Sequence, residues 1–97
     1  MASYKLTKKV ENELENIYEY SIINFGLFTA KKYLQDLCDC FELLAENPSF
    51  GNDYSYLKSG VMRYECRSHS IYYRTIEEET ILILRVLGKR QDPGRHI

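Results

Sequence analysis

The chain is 97 residues long, 44% hydrophobic and 28% charged, with a formal net charge of −1. That size and balance fit one folded domain, 1–97, and exclude a disordered chain. The longest uninterrupted apolar run, Ile81 to Leu84, is far short of the roughly 18 residues a membrane-spanning helix needs.

Met1 to Lys5 lacks the apolar stretch of a secretory signal, so the expected location is the cytoplasm. Three cysteines, Cys38, Cys40 and Cys66, make an odd count that argues against a disulfide framework. Cys38 and Cys40 lie two positions apart in a helical segment, turned about 200° from each other, and so cannot clamp one metal ion. All three are expected to be small packing residues or free thiols. The near-neutral charge hides an asymmetry. Residues 1–50 carry five lysines and eight acids, whereas residues 51–97 carry eight basic residues and six acids. All six arginines fall in the second half, and guanidinium forks suit carboxylate or phosphate partners.

Along the chain, Tyr4-Lys5-Leu6 is a short candidate strand, and Thr7 is placed to cap a helix with its hydroxyl. Val10, Leu14, Ile17, Tyr18, Ile22 and Phe25 form one helical stripe, ended by Gly26 in a left-handed cap conformation. Ala30, Tyr33, Leu34, Leu37, Phe41 and Leu44 form a second. Pro48 biases Asn47 away from helical geometry, so this helix stops near Glu46. The short connection makes the two an antiparallel hairpin. A loop then runs to about Gly60, after which the period changes to two. Met62 to Arg67, Ser70 to Ile76 and Thr80 to Leu87 read as strands, the last apolar on both faces and therefore central. Glu77-Glu78-Glu79 is a hairpin tip. The expected fold is α+β: an N-terminal strand, an antiparallel helical hairpin, then a three-stranded antiparallel meander, in a sheet of three or four antiparallel strands with the hairpin on one face. Gly88 to Ile97 is expected to be a polar tail, of which residues 92–97 add little to stability.

No phosphate-binding glycine loop, zinc-ligand spacing or nucleophile elbow is present, and neither a cofactor nor a metal is implied. What stands out is a basic set on the sheet and tail: Arg63, His69, Arg74, Arg85, Lys89, Arg90, Arg95 and His96. Arg85 interrupts the most apolar strand, on the face of Ile81, Ile83 and Leu87. Buried there it needs a partner, either Glu65 or a backbone carbonyl, unless it serves a functional contact. His69 is a hydrogen-bonded turn histidine or part of the basic set. The tyrosines suit either core packing or stacking on bases.

Several segments resemble the ParE toxins of the RelE/ParE superfamily: Tyr33-Leu34, Leu44-Ala45-Glu46-Asn47-Pro48, Gly60-Val61-Met62-Arg63-Tyr64, Ser68-His69-Ser70-Ile71-Tyr72-Tyr73-Arg74, Arg85-Val86-Leu87 and the terminus Gln91-Asp92-Pro93-Gly94-Arg95-His96-Ile97. The resemblance spans nearly the whole chain. It implies a cytoplasmic toxin of a type II toxin–antitoxin system that inhibits DNA gyrase by binding rather than catalysis. A ParD-like antitoxin would neutralise it in a hetero-oligomer, with direct nucleic-acid contact not required. Arg63, His69, Arg74, Arg85, Arg90, Arg95 and His96 are then the candidate target-binding residues. Leu14, Ile17, Tyr18, Leu37 and Phe41 on the hairpin are the candidate antitoxin contacts.

The related RelE branch cleaves mRNA on the ribosome, and here Arg63, His69, Arg74, Arg90 and His96 would be its cleavage set. With no tyrosine after Tyr73, His96 would replace the tail tyrosine of that branch. A detoxified remnant that only binds its antitoxin is a third reading.

Overall fold

The computed structural model describes residues 1–88 and 91–97. In chain order these form β1 (Ser3–Leu6), α1 (Lys8–Phe25), α2 (Leu27–Glu46), a single 3-10 turn (Pro48–Phe50), β2 (Asn52–Asp53), β3 (Met62–Cys66), β4 (His69–Glu77), β5 (Thr80–Gly88) and α3 (Pro93–His96). Thr7 caps α1 as its position suggests, accepting the Val10 N–H at 3.2 Å. Gly26 both ends α1 and starts α2. Its φ of 89° is the positive value expected, but its ψ of 164° is extended rather than left-handed helical, so the chain turns sharply between the helices. Asn47 leaves the helical region at φ −134°, ψ 68°, just before Pro48.

The strands form a five-stranded sheet among the described residues, in the order β1-β5-β4-β3-β2. β3, β4 and β5 are the expected antiparallel meander, with β4 at the centre and β5 an interior strand between β4 and β1. Two points correct the expectation of an all-antiparallel sheet of three or four strands. β1 pairs with β5 in parallel, Tyr4 opposite Ile81, and a two-residue strand from the expected loop adds a fifth strand beside β3. The parallel pairing arises because the doubly apolar β5 needs a neighbour on each side, and β1 fills the side that β4 leaves open.

α1 and α2 cover one face of this sheet. Val10, Leu37, Phe41 and Leu44 from the helices meet Ile71, Tyr73, Ile81, Ile83 and Val86 from the strands, all essentially inaccessible to solvent. A second, smaller cluster lies apart from it, where Val61, Tyr72 and Leu87 bury one another with Tyr54, Leu84 and Ile97 around them. The register of β4 against β5 shifts between the pairs Tyr72–Arg85 and Tyr73–Ile83, so Leu84 is an extra residue on β5. This bulge corrects the expected alternation. Ile83 and Val86 join the helix-side core, while Leu84 and Leu87 join the second cluster.

The tail is also corrected. Asp92 caps a four-residue helix, the His96 carbonyl accepts from Arg85 Nη1 at 2.8 Å, and Ile97 packs on the second cluster. The tail is docked structure. Cysteine usage differs too. Cys40 on α2 and Cys66 on β3 are joined as a disulfide, leaving Cys38 as the free thiol. The odd count predicted three unbridged cysteines, but a pair 26 positions apart meets only once α2 lies over β3.

Candidate functional site

The bare face of the sheet carries a shallow polar cleft built around Arg63. β3 is pleated, so Met62, Tyr64 and Cys66 pack toward the helices and Arg63 and Glu65 point the other way. Arg63 is held on three sides. Its Nη2 reaches Glu65 Oε1 and donates to Ser70 Oγ at 3.0 Å, and its guanidinium lies 5.6 Å from the centre of the Tyr54 ring. Tyr54 in turn meets Tyr72 edge-on at 6.1 Å. With Gly88, Gln91 and Pro93 these residues line a cavity of about 370 Å³. Burial works against the Arg63 charge, but the hydrogen bonds to Glu65 and Tyr72 outweigh it and raise its pKa. The cleft therefore presents an arginine–glutamate ion pair flanked by tyrosine rings, and an anionic partner there would compete with Glu65 for the guanidinium.

Arg74 is exposed on β4, opposite Leu82, and Arg95 is exposed on α3. His69 is elsewhere. It pairs with Cys66 at the start of β4, on the helix side, where its Nδ1 meets the Tyr33 hydroxyl at 2.6 Å. The same hydroxyl accepts the Ser68 N–H at 3.1 Å, so Tyr33 ties both turn residues to α2. Burial lowers the His69 pKa, and nearby Glu13 only partly offsets this. His69 is thus a hydrogen-bonded histidine at the entrance to β4, and the sheet separates it from Arg63.

Arg85 has the partner its burial requires, but that partner is Glu13 on α1 rather than Glu65. Its Nε donates to Glu13 Oε2 at 2.7 Å, and both side chains are largely buried, at 14% and 16% exposure. Glu13 Oε1 accepts the Val86 N–H at 2.9 Å, and the Thr7 hydroxyl bonds the Leu84 carbonyl at 3.3 Å. The cap of α1 and one of its side chains thus serve β5 backbone groups that lie beyond the end of its pairing with β1. The expected backbone carbonyl is present as well, from His96. His96 is half-buried with the tail. Lys89 and Arg90 of the basic set lie outside the described residues.

The helical face offers a second, apolar surface. Asn16, Ile17, Tyr20, Ser21 and Phe25 of α1, Thr29 and Tyr33 of α2, and Ser68 and His69 of the β3–β4 turn line a groove of about 440 Å³. Beside it the hairpin tip exposes Tyr20, Ile23, Phe25, Leu27 and Phe28. This corrects the residues expected on that surface. Leu37 and Phe41 are completely buried, and Leu14 and Ile17 pack against the same core. Of the five, only Ile17 also lines the groove, while Tyr18 is half-buried outside the core cluster. The missed residues had a signal. Tyr20, Ile23, Leu27 and Phe28 are large apolar groups off the stripes that define the core, and an apolar residue off the stripe must face outward. No metal-holding group of His, Cys, Asp or Glu occurs among the described residues, and no helix there is long and apolar enough to cross a membrane.

Comparison with known proteins places this architecture. Residues 4–93 match the family model described as ParE toxin of the type II toxin–antitoxin system parDE. Toxin ParE1 of Mycobacterium tuberculosis is 30% identical over 94 residues, covering 97% of this chain and 96% of that protein. Toxin ParE1 of Caulobacter vibrioides is 29% identical over 97 residues, covering 100% and 99%. A solved structure described as the chromosomal ParDE TA system from P. aeruginosa superposes with a TM-score of 0.77 at 26% identity, over 91% of this chain and 96% of that one. Fold and matches together define a toxin of a type II toxin–antitoxin system. The chain belongs to the ParE toxin family.

Proposed function

We propose that this toxin inhibits DNA gyrase by stoichiometric binding through the bare sheet face and tail, and that a ParD-like antitoxin neutralises it across the helical hairpin. The observation that carries the first half is the separation of His69 from Arg63. Cross-strand pairing puts Arg63, Ser70 and Tyr72 on one face and Cys66 and His69 on the other. A ribonuclease needs its proton-transferring and charge-stabilising groups within hydrogen-bond reach of one phosphate. Here the cleft holds Arg63 with tyrosines and a glutamate, and no imidazole among its lining residues. Such a surface suits binding: among the described lining residues the one carboxylate, Glu65, is tied up with Arg63. Gyrase as the target follows the activity that the family resemblance implies.

The antitoxin half rests on the exposed apolar tip and its groove, because five large apolar residues around one turn stand 52% to 83% exposed, and a cluster of this kind marks a binding surface. A partner helix laying an apolar face into the groove fits it. The deciding experiment incubates the purified protein with gyrase and supercoiled plasmid, alongside a ribosome-dependent mRNA-cleavage assay. Trapped cleaved DNA with intact mRNA is the expected result. Cut mRNA with gyrase unaffected would replace this reading with the ribonuclease one, and activity in neither assay would indicate a detoxified antitoxin-binding remnant.

A further inference from the structure

One face of α2 is fastened to the β3–β4 turn by three successive contacts. Tyr33, Asp36 and Cys40 lie three and four positions apart, which aligns them along one side of the helix. Tyr33 binds Ser68 and His69, Asp36 pairs with Arg67 at 2.7 Å, and Cys40 is bonded to Cys66. Arg67 itself takes a positive φ of 58°, uncommon for a side-chain-bearing residue, so the turn keeps its shape through what holds it. The polar members of this set are exposed to competition from water: Arg67 is 54% accessible. The sulfur link is the one member that solvent cannot loosen.

We infer that Cys40 and Cys66 form a reversible thiol–disulfide pair, exchanging with a low-molecular-weight disulfide of the glutathione type, and that its oxidised state pins the β3–β4 turn to α2. Three observations carry this. The Cα atoms stand 6.8 Å apart on two separate elements, within the span one disulfide bridges. Cys40 is half-buried whereas Cys66 is 5% exposed, so an incoming disulfide reaches Cys40 and Cys66 completes the exchange from within. Cys38 does not compete. It lies on another side of α2, where burial and the neighbouring Asp39 and Glu42 raise its pKa and suppress the reactive thiolate.

The exchange balances without any further reagent. The Cys40 thiolate attacks glutathione disulfide, one glutathione leaves as thiolate, and a mixed disulfide remains on Cys40. The Cys66 thiolate then attacks the Cys40 sulfur, the Cys40–Cys66 bond forms, and the second glutathione departs. Two protein thiols are oxidised while one glutathione disulfide is reduced to two thiols. Reduction runs the same steps backward. Because Ser68 and His69 also wall the apolar groove, oxidation fixes that wall in place.

The test equilibrates the full chain in buffers of varied reduced-to-oxidised glutathione ratio, quenches with iodoacetamide and maps the cysteines by mass spectrometry. In parallel, amide hydrogen exchange of Ser68 is followed in both states, since this N–H donates to the Tyr33 hydroxyl only while the turn is seated. Expected are a single reversible transition linking Cys40 to Cys66, its loss in Cys40→Ser, its persistence in Cys38→Ser, and Ser68 exchange at least about tenfold faster in the reduced protein. The wild-type comparison needs no substitution to fold. Three alkylated cysteines in the most oxidising buffer, a bond through Cys38, or equal Ser68 exchange in the two states would overturn the inference.

Discussion

Glu13 and Arg85 are 72 positions apart and nearly out of water, and each satisfies more than its partner. Glu13 also holds the Val86 N–H, and Arg85 also holds the tail through the His96 carbonyl. Removing one member strands the other charge, so Arg85→Ala is expected to cost about 3 kcal/mol, read from the denaturant midpoint. Arg63 and Arg74 behave differently because they face outward. If they act by binding the target, Arg63→Ala and Arg74→Ala each weaken inhibition about ten- to a hundredfold, and excess toxin restores it. A deficit that persists at saturating toxin would instead mark the arginines as stabilising a reacting group. His69 has a pH signature. Burial depresses its native pKa below the ordinary 6.5, so the native state binds fewer protons than the unfolded chain between those values. Its contribution is therefore complete above about pH 6.5 and is lost as the pH falls through the lowered native value. His69→Gln should flatten that part of the stability–pH curve, and a curve unchanged by the substitution would contradict the assignment.

At the scale of elements, the tail and the loop before β3 behave as parts of the fold. Deleting residues 93–97 removes Ile97 from the second cluster and the carbonyl from Arg85, and is expected to cost about 2 kcal/mol, or roughly 10 °C in melting temperature. An unshifted melt would show that the docked tail contributes nothing to stability. In the loop, the buried Tyr73 hydroxyl donates to the Pro48 carbonyl at 2.8 Å and accepts the Gly51 N–H at 2.9 Å. That close approach needs a glycine. A Cβ on Gly51 would overlap the Tyr73 hydroxyl and come within 3.0 Å of the Arg63 carbonyl. Gly51→Ala should therefore destabilise the protein by about 1–3 kcal/mol and displace the strand that carries Arg63, measurable together as a lower melting temperature and weaker inhibition.

For the whole molecule, the basic residues of the bare sheet face and the apolar hairpin tip lie on different surfaces, and the disulfide joins elements from both halves of the chain. Closing a loop over 26 positions restricts the unfolded chain, so the oxidised protein should exceed the reduced one by about 3 kcal/mol in stability. Antitoxin binding across the hairpin would bury the tip residues Ile23, Phe25, Leu27 and Phe28, which are 52% to 83% exposed. Titration calorimetry at several temperatures is expected to give a large negative heat-capacity change, steepened by ordering of the antitoxin segment. A value near zero would place the partner elsewhere.

The sequence by itself determined the elements and most of their order, because each was written in local chemistry: the 3.6-residue stripes of α1 and α2, the Thr7 cap, the stop before Pro48, the switch to alternation after Gly60 and the two-sided apolarity of β5. The family resemblance came from residues spread over those same elements. Only the tertiary structure decided where the charges went. Strand pairing carried Glu13 to Arg85, the bulge at Leu84 put Val86 rather than Leu87 on the core face with Ile81 and Ile83, and the pleat put His69 and Arg63 on opposite faces. The two-residue β2 was invisible because strands that short have no periodicity to read, and the Cys40–Cys66 pair because it depends on how α2 lies over β3. Local patterns specify which face of an element is apolar. Which residue it meets is set by packing between segments distant in sequence, and that packing decides which basic and apolar groups stay available to a partner.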